Sequence, residues 1–481
     1  MPIVGAFMVP HPPIMLPEVG RGEEKKIQAT TDAYRRVAER IAELKPETII
    51  ISSPHSIMYA DYFHVSPGKR ATGDMGRFRA GQVKFDVEYD TDLVAEICAV
   101  SDSYGQEKGD IKSMEIQGFP AGTMGERDPE LDHGTMIPLY YIREKYEGFK
   151  IVRIGLSGLS LPMHYEMGQI IAQAVQRTGV RAVYVASGDL SHKMKEDGPY
   201  GFAKEGPEYD ERIMEVCGSG EFDRLLDFDE VFCDKAAECG HRSFVMMAGA
   251  LDGLSVTAHK LSHEATFGVG YGICTFEVGG PDENRHFLEK WRDNKKKQLE
   301  KRKQDEDPYV RLARYSLESY ITLGKRITKK DLKDDKWKDM DDEMYGRRAG
   351  TFVSIHKDGA LRGCIGTILP TTGCIADEIM QNAISAATND PRFPMIKEDE
   401  LPYLEISVDV LDEPEPIDSP DELDVKRYGV IVTHGRKRGL LLPNLDGVES
   451  IEQQIDIARQ KAGIHEDEDY SLERFEVIRH Y

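Results

Sequence analysis

Two short stretches of this chain set a histidine against prolines at the end of an apolar run. "AFMVPHPP" places His11 between Pro10 and Pro12, and "IIISSPHS" places His55 directly after Pro54. Further on, "ELDHG" carries His133, "VASGDLSH" carries His192, and "AAECGHRS" carries the adjacent pair Glu238 and Cys239. Neutral imidazole is the commonest protein metal ligand, and its ordinary pKa of about 6.5 also suits proton transfer near neutrality. Proline fixes φ and removes a backbone donor, so both loops are stiffer than average. The pattern points to a preformed site for one divalent metal, with His11 and His55 as two of its ligands.

The third ligand has to come from elsewhere, and Glu238 with Cys239 is the best source. Adjacent residues point in different directions on a helix or a strand, so one ion takes one of them. Glu238 would complete a set of two histidines and one carboxylate, which leaves positions open on Fe(II) for substrate and dioxygen. Cys239 would make the site softer and less suited to that chemistry. Both alternatives stay open in the sequence.

A second candidate lies near the carboxyl end. Cys364, in "LRGCIGTILP", stands beside Gly363 and Arg362, and a neighbouring cation can lower a thiol pKa enough to make a nucleophile. The plainer reading is a small residue packed on a sheet, because free cysteine behaves as a hydrophobe. Asn382, Arg392 and His434 could complete a pocket there, although no spacing ties them together.

The elements that must carry these residues follow from pattern. "ETIIISSPHS", "FKIVRIGLSGLS" and "VRAVYVASGDLSHK" each end an apolar strand in a polar loop, and "TTDAYRRVAERIAELK" and "YEMGQIIAQAVQRTG" read as helices. Strands alternating with helices predict an α/β layered sheet, in which ligands collect at the carboxyl ends of strands. His11, His55 and His192 all fall just past such ends.

Between residues 283 and 307 the chain turns basic, with nine Lys or Arg against three acids from Arg285 to Lys303. So few apolar residues predict a solvated helical or flexible connector. After it, "GTFVSIHKDGALRGCIGTI" reads as a hairpin turning at Asp358 and Gly359, "YLEISVDVL" alternates with period two, and "YGVIVTHGRKRGLLLP" reads as a second hairpin. With helices at "YVRLARYSLESYITL", "CIADEIMQNAISAAT" and "SIEQQIDIARQKAGI", residues 308–481 form a smaller α+β domain. The expected organisation is a layered domain over 1–282, a charged linker over 283–307 and this second domain.

The whole chain has 481 residues and a formal net charge of −23, which disfavours nucleic acid and anionic membrane surfaces as partners. Seven cysteines without a Cys-x-x-Cys pair, no basic and apolar leader and no long apolar run point to a reducing cytoplasmic setting. Homo-oligomerisation is left open.

Taken as a set, "VPHPP", "SSPHS", "LDHG", "SGDLSH" and "ECGHRS", in that order and closed by "FGVGYGI", resemble the class III extradiol dioxygenase (LigB-like) family and the related Memo family, over roughly residues 1 to 280. That resemblance implies a ferrous ion held by His11, His55 and Glu238, with zinc or another divalent metal as substitute. It gives His192 the role of acid and base, and it places His133 against substrate or oxygen. The implied activity is ring cleavage of an aromatic diol or related small molecule by dioxygen. Memo-like proteins resemble this stretch in having a cysteine where dioxygenases use their carboxylate, so Cys239 brings an alternative: a metal-binding interaction protein without ring cleavage. "LRGCIGTILP", "DPRFP" and "LEISVDVL" make the second domain similar to the AMMECR1 family. The fusion resembles an arrangement associated with a radical S-adenosylmethionine protein, the implied partner.

Overall fold

The computed structural model describes residues 3–104, 118–340, 342–445, 447–465 and 467–481. The chain divides into two compact units, Met1–Arg292 and Asp293–Tyr481.

In the first unit six strands form one sheet: β1 (Ile3–Val9), β2 (Thr48–Ser53), β3 (Lys150–Gly155), β4 (Ala182–Ser187), β5 (Leu254–Glu264) and β6 (Tyr271–Pro281). Their order is β3-β2-β4-β1-β6-β5. The first four run parallel, and β6 joins β1 antiparallel with β5 at the edge. Side chains alternate across a strand, and here both faces are buried. Ala6, Met8, Ile50, Val152 and Tyr184 enter one core; Phe7, Val9, Ile49, Ile151 and Val183 enter the other. Burial on both faces explains why these strands read as unbroken apolar runs.

Helices cover both faces. α1 (Gln28–Leu44) buries Thr30, Thr31, Tyr34, Val37, Ala38 and Ile41 along one stripe. α2 (Thr91–Ser103) and α4 (Leu161–Thr178) cover the opposite face, α3 (His133–Arg143) shares the α1 side, and α5 (His241–Ala250) is buried almost all round. The α/β layered architecture expected from the alternation is present. The pattern does not predict β5, because it is an edge strand whose residues are mostly half-exposed and lack a clean alternation.

The basic segment after Arg285 is a helix, α6 (Phe287–Asp305), which buries Leu288 and Leu299; the division between units falls inside it. Among the described residues no helix is long and apolar enough to cross a membrane.

The second unit is a seven-stranded sheet of β7 (Thr351–Lys357), β8 (Ala360–Gly366), β9 (Leu404–Leu411), β10 (Glu415–Ile417), β11 (Tyr428–His434), β12 (Lys437–Leu441) and β13 (Ser471–His480). The order is β8-β7-β9-β13-β11-β12, with β10 paired to β13. Asp358 and Gly359, both at positive φ, make the β7–β8 turn as the Asp-Gly signal required. α7 (Pro308–Leu323) and α8 (Ile375–Thr388) share a core with β7 and β9, and α9 (Ile451–Ala462) packs with β11 and β12. The fold is α+β, as expected.

Candidate metal centre

β1, β4 and β2 are consecutive in the sheet and parallel, so their carboxyl ends lie side by side. His11 follows β1 closely and His55 follows β2 closely, with the end of β4 between them. Their Nε2 atoms lie 3.0 Å apart, and Cys239 Sγ is 3.6 Å from His11 Nε2. All three donor atoms fall within 4.8 Å of one another, a group that could hold a metal ion.

The chain places His11 by several independent bonds. Its backbone N–H donates to Asp189 Oδ1 at 2.8 Å, and Tyr34 donates its hydroxyl to Pro10 O at 2.8 Å. Tyr141 closes the far side of the loop by donating to Met15 O at 2.9 Å. The ring tautomer follows from the last residue of β4. Ser187 Oγ donates its one proton to Gly134 O at 2.6 Å, so the 2.9 Å contact with His11 Nδ1 must use the ring's proton. His11 Nε2 therefore carries a lone pair aimed at the other donors.

His55 and His133 are linked through one carboxylate. Ser53 Oγ accepts from His55 N (3.2 Å) and donates to Asp132 Oδ1 (2.6 Å). Asp132 also caps α3, accepting from Thr135 N and Oγ1, and so fixes His133 as the first residue of the helix. Arg153, buried in the middle of β3, is 3.6 Å from Asp132 Oδ2 and donates to the carbonyls of Asp128 and Glu130 and to Ser66 Oγ. The ring of His133 stacks on that of His55, with centroids 4.0 Å apart. A cavity of about 200 Å³ opens beside them, walled by Phe78, Arg77, Leu131 and Met136 among others.

Cys239 and Glu238 separate as neighbours should. Cys239 turns toward the histidines and accepts from Asp189 N at 3.3 Å. Glu238 turns away to accept from His241 N at 2.6 Å, anchoring the start of α5. The close approach of the Cys239 segment to the end of β4 depends on two glycines: a Cβ on Gly188 would stand 2.1 Å from Gly240 Cα. Of the two alternatives in the sequence, the structure brings Cys239 to the histidine pair and leaves Glu238 out.

Electrostatics favour the ligating form of the histidines. Burial, followed by the neighbouring His55, pushes His11 well below the ordinary imidazole value; burial also lowers His55 and His192. Burial with His55 and His11 pushes His133 down to about 3. Neutral rings are the form that binds metal. Burial raises the Cys239 thiol and brings Asp189 up to about 6 and Glu238 to about 7. The thiolate, which is the ligating form, is thus disfavoured until a cation is present, and the ion's own charge would have to offset the cost of deprotonation. The spacing of His11 Nε2 to the other two donors, 3.0 and 3.6 Å, fits as well. Ligands on one tetrahedral zinc-sized ion would stand roughly 3.3 Å apart (N to N) and roughly 3.6 Å apart (N to S). The residues present suit a divalent metal of borderline softness.

Asp189, Ser187, Asp132 and Arg153 were not singled out in the sequence. Asp189 and Asp132 lay inside motifs quoted for their histidines, and Arg153 could have been found as a charge in the middle of an apolar strand run.

In the second unit the expected partnership of Arg362 with Cys364 does not form. The Arg362 guanidinium is held by Glu400 through two contacts of 2.9 Å and donates to Pro394 O at 2.7 Å. Cys364 Sγ instead accepts from Ser354 Oγ at 3.2 Å, and its backbone N–H donates to Asp390, which Arg392 clasps at 2.7 Å. Asn382 is buried and donates to Thr351 and Thr367, while His434 is half-buried and bonds Asp469 O. Arg392 reaches the Cys364 carbonyl at 3.4 Å as well as Asp390, whereas the hydrogen bonds of Asn382 and His434 lead to other partners.

The chain that carries this site belongs to a known family. Residues 5–274 match the family described as the catalytic LigB subunit of aromatic ring-opening dioxygenase, and residues 310–480 match AMMECR1. A protein of Clostridium acetobutylicum is 42% identical over 482 residues, covering 100% of this chain and 99% of its own length. A protein of Thermotoga maritima is 49% identical over 177 residues, 36% of this chain and 98% of that one. A crystal structure of an uncharacterized protein from Pyrococcus horikoshii matches 36% of this chain and 88% of its own at 33% identity, with a TM-score of 0.32.

Proposed function

We propose that the first unit is a mononuclear metal centre held by His11, His55 and Cys239, working on a small molecule that chelates through two oxygens. The observation that carries this reading is the convergence of two imidazole Nε2 atoms and one sulfur within 4.8 Å. Bound there, Fe(II) would supply a Lewis acid able to hold an aromatic diol beside dioxygen. The protein's own groups do the rest. Ser187 keeps the His11 lone pair inward, Asp132 orients the loop that carries His133, and His192, kept neutral by burial, is free to take a proton from a substrate hydroxyl. Family membership supports extradiol cleavage as the reaction class. A radical S-adenosylmethionine protein is the partner proposed for the fused chain.

One observation favours a second reading. Cys239 stands where the facial set calls for a carboxylate, and a sulfur donor suits zinc or copper as well as iron. On that reading the centre is Memo-like and binds metal without cleaving rings. Oxygen uptake with catechol and 4-methylcatechol after anaerobic loading with Fe(II) decides between them. Uptake that disappears in His11→Ala and His192→Ala establishes the dioxygenase; full metal occupancy with no uptake above the free metal assigns the Memo-like centre.

A further inference from the structure

In the first unit the buried histidines His11, His164 and His241 are held by hydrogen bonds at the ring, whereas buried His64 and half-buried His192 are not. His11 Nδ1 is held by Ser187, His164 is held by Ser160 O and Ser157 N, and His241 is held by Leu225 O and the Tyr209 hydroxyl. Among the described residues no hydrogen bond reaches the ring of His192. Its backbone N–H donates to Ala237 O at 3.3 Å, and its imidazole lies against the ring of Tyr200, with centroids 5.0 Å apart and planes inclined by 25°.

Tyr200 is 60% exposed, yet the backbone that carries it is fastened. It sits in a short hairpin in which Met194 bridges Phe202. Met194 N donates to Gly268 O (3.1 Å), Ala203 N to Lys193 O (3.2 Å) and Lys195 Nζ to Thr266 O (2.9 Å). Gly198 packs on Gly268 so closely that a Cβ at either would come within 3.1 Å of the other's Cα. Gly201 takes a positive φ immediately after Tyr200 and turns the chain back. The hairpin therefore delivers one aromatic ring to one place, above His192.

We propose that Tyr200 is a positioning residue for His192: its ring sets the plane of the imidazole while leaving both nitrogens uncommitted. A histidine oriented through a hydrogen bond gives up one nitrogen to its partner and is locked in one tautomer. Orientation by stacking imposes no such restriction. His192 can accept a proton from a bound hydroxyl at one nitrogen and release the proton of the other to water, so charge is conserved and no further acid is needed. The inference rests on the reading of His192 as the proton-transfer group.

The test uses the full-length, metal-loaded protein with Tyr200→Ala and Tyr200→Phe. Tyr200→Ala should keep its metal and lose roughly 10- to 100-fold in kcat for catechol, part of what acid–base catalysis contributes, with KM nearly unchanged; Tyr200→Phe should restore kcat to within about twofold. Imidazole nitrogen NMR, with His192 assigned by its loss in His192→Gln, should show one ordered ring in the wild type and in Tyr200→Phe, and rotamer averaging in Tyr200→Ala. An ordered His192 in Tyr200→Ala overturns the proposal, as does a Tyr200→Phe protein as impaired as Tyr200→Ala, which would make the hydroxyl the determinant. If the wild type turns over no catechol, the dioxygenase reading fails by itself, and the NMR comparison still decides the stack.

Discussion

Each unit of this chain sets a cysteine in a strongly patterned motif, and the two surroundings differ in what they leave uncommitted. In the second unit the charged groups of these motifs have protein partners: Arg362 takes Glu400, Asp390 takes Arg392 and the Cys364 amide, and Glu378 gathers Thr367, Thr371 and Thr372. Around Cys239, two imidazole nitrogens and a sulfur face one another, and His192 makes no ring hydrogen bond among the described residues. Buried polar groups are ordinarily satisfied. A place where several converge with lone pairs to spare is where a ligand is expected, whereas a satisfied network is scaffold.

The sharpest way to break this contrast is to remove the donors. His11→Ala, His55→Ala and Cys239→Ala should each lose most of the bound metal in elemental analysis, by more than the roughly 10- to 100-fold that supporting residues contribute. Glu238→Gln should keep it. Metal lost in Glu238→Gln and kept in Cys239→Ala would reverse the assignment of the third ligand. Ser187→Ala should come next, weakening metal affinity by about 10- to 100-fold because His11 loses the acceptor that fixes its tautomer.

Arg362→Ala should act on the other side of the comparison, as a stability effect without a metal effect. It leaves the largely buried Glu400 carboxylate without its main partner. Urea stability of the second unit should fall by about 3 kcal/mol, the scale for stranding one charge of a buried pair. Unchanged stability would mean that the network around Cys364 is less satisfied than it looks.

The smallest effect expected is a pH dependence in the first unit. Burial pushes His164 down to about 3 and His241 to about 4. Folded values below the unfolded one mean that the native state binds fewer protons, so stability is full above about pH 6.5 and falls as pH drops toward about 4. At pH 5 each ring should cost about 2 kcal/mol relative to pH 7 by that linkage. His164→Asn should remove part of the slope in urea titrations; an identical slope would show that other groups dominate.

Much of the first site could be read from local sequence, because a proline-stiffened histidine after an apolar strand is a local signal. The choice between Glu238 and Cys239 could not. It depends on how the chain enters α5 and on a backbone contact with Gly188, far earlier in the chain, which no local pattern encodes. β13 was unreadable for another reason. "SLERFEVIRH" carries charges on a central strand, and these are matched only across the sheet: Arg474 with Glu415, Arg479 with Asp409, and Glu473 with Arg438. Charge pairs between distant strands hide a strand from any reading that weighs its residues singly. The histidine loops and the layered sheet had no such dependence.

The contact between Gly188 and Gly240 bears on which ions the centre accepts. Because these segments meet backbone to backbone, the main chain that carries Cys239 is held close to the end of β4, and its sulfur can adjust only by rotation about its own Cα–Cβ bond. The opening should then behave as a gauge with a stiff jaw: an ion of zinc or ferrous radius is expected to be preferred, while a wide ion such as cadmium would press the start of α5 away from the end of β4. A Gly188→Ala protein, with that jaw wedged apart, should shift its preference toward the larger ion, which competitive loading with zinc and cadmium would reveal.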